Sequence, residues 1–303
     1  MLMTGVYRDL FDVPEEIVYL NCANLAPRLR SVSEAGKAAM DRLGSPWSIS
    51  PRDWFEGAER LRGLFATLVN ASPDSVSLVP SVSYGVAIAA KNVEISSGSN
   101  VVVLDQQYPS NVYAWRRVCA EKQAQIRTVF QSDRNSLTEA VLAAINEKTS
   151  VVTIPNCHWT DGALLDVEQV GRAARQVDAA LIVDASQSLG AYPLDVKAVQ
   201  PDFLVSVGYK WLLGPYGLGY LYAHEKWQRD GIPIEESWLT RAGSEDFARS
   251  VEYVDEYRPG ARRFDFGEFP QFLSLPMACA ALSQLIEWKV ETIHSLLTDV
   301  TNT

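Results

Sequence analysis

Five short runs rich in β-branched residues recur along this chain, most of them separated by helix-length spacers. They are "NVVVLD" ending at Asp105, "SVVTIP" at Pro155, "AALIVD" at Asp184, "FLVSVG" at Gly208 and "GLGYLY" at Tyr222. Their apolar residues are near-continuous rather than alternating, as expected when helices cover both faces of a sheet. The pattern predicts an α/β fold on a mainly parallel sheet. It also directs the search for function, because ligands of such sheets gather beyond the carboxyl ends of the strands.

The spacers carry helical signals. Val167, Val170, Ala173, Ala174 and Val177 share one helix face, with Glu168, Arg172 and Arg175 elsewhere on the turn, which predicts a crossover helix. "SLTEAVLAAINEK" from Ser136 opens with Ser-x-x-Glu ahead of an apolar stripe, the capping-box pattern. From Pro276 to Val300 an apolar stripe through Met277, Leu282, Ile286, Val290, Ile293 and Leu297 predicts one long helix reaching the last residues. With 303 residues, 47% of them hydrophobic, the chain can fill the core of one large domain or two ordinary ones.

The formal net charge is −10 and no Lys/Arg-rich block stands against it, so neither nucleic acid nor an anionic membrane has an electrostatic footprint here. Small molecules are the expected partners. No window approaches the roughly 20 apolar residues of a spanning helix, and the N-terminus lacks a basic region followed by an apolar one. The expectation is a soluble, cytoplasmic protein. Cys22, Cys119, Cys157 and Cys279 are scattered without a CxxC pair, which points to reduced thiols and to neither a zinc site nor a disulfide framework.

"VSVGYKWLLGPYGLGYLY", residues 205–222, sets Lys210 among aromatics and glycines at a strand end. A desolvated lysine loses its proton more easily and becomes nucleophilic. The plain alternative is a lysine that reaches past the strand end into water. Asp184, ending another strand in "IVDASQ", is either a functional carboxylate or a turn residue binding local amides, and Gln187 follows three residues on. "GPYGLG" from Gly214 has the wrong spacing for a dinucleotide fingerprint and leads into a strand. Its glycines read instead as a tight turn after the lysine.

Residues 183–222, "VDASQSLGAYPLDVKAVQPDFLVSVGYKWLLGPYGLGYLY", resemble the signature of class V aminotransferases, the pyridoxal-phosphate (PLP) enzymes of fold-type I that include cysteine desulfurases, kynureninases and isopenicillin N epimerase-like proteins. The resemblance implies that Lys210 forms a Schiff base with PLP and later moves protons at the substrate carbon. It implies that Asp184 pairs with the pyridinium nitrogen, that Gln187 hydrogen-bonds near the phenolic oxygen, and that the Tyr209 hydroxyl donates to the phosphate. Val207 stands where serine is frequent. "VPSVSYGVAIAA", residues 79–90, looks like the turn into a helix whose N-terminus holds the phosphate, with Val82 and Ser83 at the matching positions. Read alone, Ser81 or Ser83 is a plain N-cap.

"DQQYPSNVYAW", residues 105–115, resembles the segment whose aromatic stacks on the PLP ring, here Tyr108. In "PNCHWTDG", residues 155–162, Trp159 replaces the asparagine usual in desulfurases, and His158 is either a cofactor or substrate contact or a satisfied loop histidine. Glu268 replaces a threonine common in the segment that reaches the partner subunit.

The implied architecture is the three-layer large domain of fold-type I, with an N-terminal segment at 1–60, the PLP-binding domain at 61–275 and the start of an interdomain helix at 276–303. A small C-terminal lobe, with its substrate-binding arginine and any catalytic cysteine, has no counterpart, which is the expectation for a fragment or a truncated reading frame. The implied activity is on an amino acid or derivative by transaminase, lyase or epimerase chemistry, in a homodimer. None of the cysteines falls in the late loop that desulfurase chemistry uses. The alternative is a noncatalytic domain that binds PLP or serves only in dimerisation.

Overall fold

A computed structural model describes residues 7–130 and 136–301. The seven strands are β1 (Val76–Val79), β2 (Asn100–Leu104), β3 (Gln125–Val129), β4 (Thr149–Pro155), β5 (Ala180–Asp184), β6 (Phe203–Val207) and β7 (Gly219–Ala223). They form one sheet in the order β1-β7-β6-β5-β4-β2-β3. Pairing is parallel except where β7 meets β6 and β1. The five apolar runs are β2, β4, β5, β6 and β7. No crossover helix separates β6 from β7, so β7 returns antiparallel.

The helices are α1 (Arg30–Leu43), α2 (Asp53–Leu68), α3 (Val82–Asn92), α4 (Tyr113–Lys122), α5 (Leu137–Ala144), α6 (Val167–Gln176), α7 (Val196–Val199), α8 (Glu225–Asp230), α9 (Ser274–Trp288) and α10 (Val290–Thr301). Because side chains alternate along a strand, each inner strand feeds two cores. Val102, Leu104, Leu181 and Val183 pack beneath α2, α5, α6 and α9. Val101, Val103, Ala180 and Ile182 pack beneath α3 and α4 on the opposite face. The result is the three-layer arrangement. Gly85 lets α3 lie on the sheet, since a Cβ there would come within 2.6 Å of Val205 Cγ1.

Both bonds of the capping box at Ser136 and Glu139 form, and the crossover helix α6 buries Val167, Val170 and Ala174. The C-terminal stripe is two helices, not one. Lys289 takes φ +64°, its N–H donates to the carbonyls of Leu285 and Ile286, and its own carbonyl accepts from Thr292 and Ile293. The apolar spacing continues across this joint, so it hides the break.

Asp265 closes the β1 edge. Its carboxylate accepts from the Arg62 guanidinium, from Ser77 Oγ at 3.0 Å and from Leu78 N–H at 2.9 Å, while Arg62 Nη1 also donates to the Val76 carbonyl at 2.8 Å. Neither side chain of the pair is exposed. Glu59 extends the network: Arg262 donates to both its oxygens at 2.9 and 2.6 Å, and Arg62 and Arg258 contact it at 3.2 and 3.3 Å. Burial alone would raise the Glu59 pKa, but the Arg262 hydrogen bonds and the three guanidinium charges hold it down to about 2.

Removing one partner of a buried ion pair strands the other, so Asp265→Ala should cost about 3–5 kcal/mol in urea unfolding. Glu59 has a depressed folded pKa, so its contribution is complete above the ordinary carboxylate range and is lost as pH falls from there toward about 2. Unfolding midpoints of wild type and Glu59→Gln should therefore converge on acidification through that window, and parallel curves would refute the assignment.

Candidate functional site

The parallel strands β2, β4, β5 and β6 all end on one side of the sheet, and a cavity of about 200 Å³ lies beyond those ends. Its lining draws Gln107 and Tyr108 from the turn after β2 and Pro155, Cys157 and Trp159 from the end of β4. Asp184, Ser186 and Gln187 come from β5, and Val207, Tyr209 and Lys210 from β6. The N-terminus of α3 completes it with Val82 and Ser83. Every residue expected in the site is thus brought together except His158.

Lys210 is 7% exposed and Asp184 is 6% exposed, yet they form no ion pair or hydrogen bond with each other among the described residues. Both face the same cavity. Burial lowers the Lys210 pKa and the Asp184 charge pulls it partly back. Burial raises that of Asp184, against its bonds to Ser186 and the Lys210 charge. One Asp184 oxygen accepts from Ser186 N–H at 3.0 Å. Among the described residues the amine has no hydrogen-bond acceptor, and Nζ lies 5.3 Å from the centroid of the Tyr108 ring. An amine desolvated this way without an acceptor is set up for covalent chemistry more than for structural support.

Ser81 caps α3 by accepting from Tyr84 N–H at 3.2 Å. The amides of Val82 and Ser83, in the first turn, have no intrahelical partner and with the helix dipole favour an anion. Tyr108 meets Trp159 edge-on at 5.6 Å, and Trp159 Nε1 is tied to the Gln106 carbonyl at 2.7 Å. After Lys210 the chain folds back on itself. Gly214 N–H donates to the Gly208 carbonyl at 2.8 Å, Gly208 N–H to Leu218 at 2.9 Å, and Gly217 takes φ +81°.

His158 is buried outside the lining, with its ring nitrogens 3.2 Å from the Asp105 carbonyl and 2.7 Å from Thr160 Oγ1. The geometry is that of a satisfied loop histidine. Its neighbours Cys157 and Trp159 line the cavity, while the His158 ring is turned to the Asp105 carbonyl and Thr160 in the loop that follows β4. Cys157, which sequence reasoning did not place in the site, lines the cavity, and its thiol is kept protonated by burial and by Asp161. Glu268 is exposed and outside the cavity. Gln187 donates one amide N–H to Ala23 and accepts from Trp211. Sequence reasoning also passed over Ser186 and Tyr216, which carry no motif.

A roomier hollow of about 300 Å³ lies among the loops at 236–255. Its arginines are already paired, Arg241 with Glu236 and Arg249 with Glu252.

Residues 50–239 match the family model described as aminotransferase class-V. The chain is 29% identical over 282 residues to an uncharacterized aminotransferase of Bacillus subtilis, YcbU, an alignment covering 92% of this chain and 72% of that one. It is 30% identical over 235 residues to a probable cysteine desulfurase of Methanothermobacter thermautotrophicus, covering 74% of this chain and 57% of that one. A solved structure of a C-DES mutant, with glycine covalently linked to its PLP cofactor, superposes with a TM-score of 0.83 at 20% identity, covering 95% of this chain and 76% of that chain.

Because its pKa is lowered, Lys210 should hold a free amine at lower pH than exposed lysines do. Acetic anhydride labelling followed by mass spectrometry should show a midpoint for Lys210 below that of the surface lysines. Asp184→Asn should move that midpoint lower still, because the aspartate charge favours the protonated amine. A Lys210 midpoint equal to the surface value would overturn the electrostatic reading.

Proposed function

The chain belongs to the aminotransferase class-V family, whose members use pyridoxal phosphate, and we propose that it binds this cofactor through Lys210 and acts on an amino acid or amino-acid derivative. The observation that carries the reading is the largely buried Lys210, whose amine has no acceptor among the described residues and which lines one cavity with Asp184. The fold agrees, being that of the fold-type I PLP enzymes.

The residues present fit the group. Lys210 offers an amine to an aldehyde, Asp184 a carboxylate to a protonated ring nitrogen, and the free amides of Val82 and Ser83 a seat for a phosphate. Ser83 and Tyr209 add hydroxyl donors, Tyr108 an aromatic face, and Gln187 a donor toward the phenolic oxygen. When bound, PLP supplies an electron sink for a carbanion at the substrate carbon. Asp184 would hold the proton on the ring nitrogen that makes the sink effective, its charged form favoured once a cation faces it. Lys210 would be the base placed to take and return a proton at that carbon. Transamination, elimination and epimerisation share these roles. Cys157, held as a neutral thiol, gives no support to sulfur transfer at this position.

Purified protein mixed with PLP should develop a visible absorbance band, and borohydride should fix the cofactor on the peptide that contains Lys210. Lys210→Ala should lose both the band and the adduct. A band and adduct that survive the substitution would place the cofactor elsewhere and end the proposal. Asp184→Ala should retain the adduct but reduce turnover of any amino acid the wild type accepts by about a hundredfold or more.

A further inference from the structure

Trp211 directly follows the proposed cofactor lysine, and its Nε1–H donates to Gln187 Oε1 at 3.3 Å. An indole N–H can only donate, so the bond settles which end of the Gln187 amide is oxygen. The nitrogen end is thereby turned to the Ala23 carbonyl, which can only accept, at 3.0 Å. The two bonds agree on a single orientation that the shape of an amide does not set by itself. The second N–H of Nε2 has no partner among the described residues, and Gln187 lines the cavity.

The same amide holds the N-terminal segment 21–26. That segment is folded on itself, with Asn24 and Leu25 N–H donating to the Asn21 carbonyl, and it docks through Ala23 on Gln187 and through Ala26 N–H on the Tyr209 carbonyl at 3.1 Å. Trp211 is itself held in place. Gly190, at φ +101°, lets the turn after β5 approach so closely that a Cβ there would lie 2.3 Å from the Trp211 carbonyl oxygen.

We infer that Trp211 is a positioning residue that makes Gln187 present a donor, and not an acceptor, to an oxygen held in the cavity, while tying segment 21–26 to the site through the same amide. The inference rests on the reading of Lys210 as the PLP anchor. The PLP oxygen beside the aldehyde is phenolic, and a donor favours its ionised form where an acceptor opposes it. Losing the Trp211 bond leaves the Ala23 carbonyl as the one group among the described residues that holds the amide, so the donor is presented less firmly and the protonated form of the cofactor persists to higher pH. The titratable groups that share the cavity, Asp184, Lys210, Tyr108, Tyr209, Tyr216 and Cys157, are left chemically unchanged by the substitutions.

The test compares Trp211→Phe, which keeps a ring and deletes the N–H, with Gln187→Leu and with the two combined. In cofactor-free protein, hydrogen exchange at the Ala26 amide should rise about fivefold or more in each variant, the worth of one hydrogen bond, and no further in the combination. With PLP on Lys210, the pH midpoint of the cofactor absorbance should rise by about half a unit or more in each, again without addition. A tryptophan that only packs would lower stability and leave that midpoint where it was. Wild-type exchange and midpoint in Trp211→Phe, or effects that add, would overturn the inference. If the wild type takes up no PLP at Lys210, the functional reading falls instead, and the cofactor-free exchange still decides the role of Trp211.

Discussion

Arg62 and Asp265 lie wholly out of water, and the whole β1 edge is arranged around keeping them together. A buried carboxylate must have its lone pairs answered. Asp265 achieves this by drawing on Arg62 from α2 and on Ser77 and Leu78 from β1, so a residue far along the sequence is brought beside the first strand. Its neighbours are then placed on opposite faces, Phe264 in the core beneath α3 and Phe266 in the core beneath α2. What the pair contributes is placement. Phe266 N–H reaches the Leu78 carbonyl only because the aspartate next to it is anchored.

The site contains the same two kinds of charge in the opposite condition. Lys210 and Asp184 are nearly as buried as Arg62 and Asp265, but they line a cavity without pairing, and among the described residues the amine has no acceptor. One opposite-charge pair is complete and structural, the other is unfinished. Rigid surroundings maintain the second arrangement: Ser186 donates to Asp184 and accepts from Val207 N–H, stapling the ends of β5 and β6, while the glycine turn fixes the backbone after Lys210.

Much of this was legible in the sequence, and the reasons are specific. The inner strands β2, β4, β5, β6 and β7 were visible because both faces of each are covered, which demands unbroken apolar runs. β3 escaped because it is an edge strand whose Gln125, Arg127 and Thr128 are exposed, and β1 because it is only four residues long. The C-terminal helix break escaped because no glycine or proline marks Lys289. The residues that line the cavity were largely found through their strand ends. For His158 the sequence left two readings open because the direction of a loop side chain is set by its partners, here the Asp105 carbonyl and Thr160, and the Trp211–Gln187–Ala23 chain was invisible because it joins segments that no local pattern connects.

The placement of β1 has a consequence for the order in which the molecule is completed. Lys210 and its glycine turn belong to a hairpin between adjacent strands, whereas β1 must find β7 across about half the chain, pairing Val76 with Tyr222. Closing that long loop carries the larger entropic cost, and topology makes such contacts slow. The helix whose free amides face the cavity follows directly after β1, so a ligand that spans those amides and Lys210 binds only after the loop has closed. Its binding free energy is therefore linked to the most entropically demanding contact in the sheet, and a loaded chain resists opening at the edge where an empty one is most exposed to it.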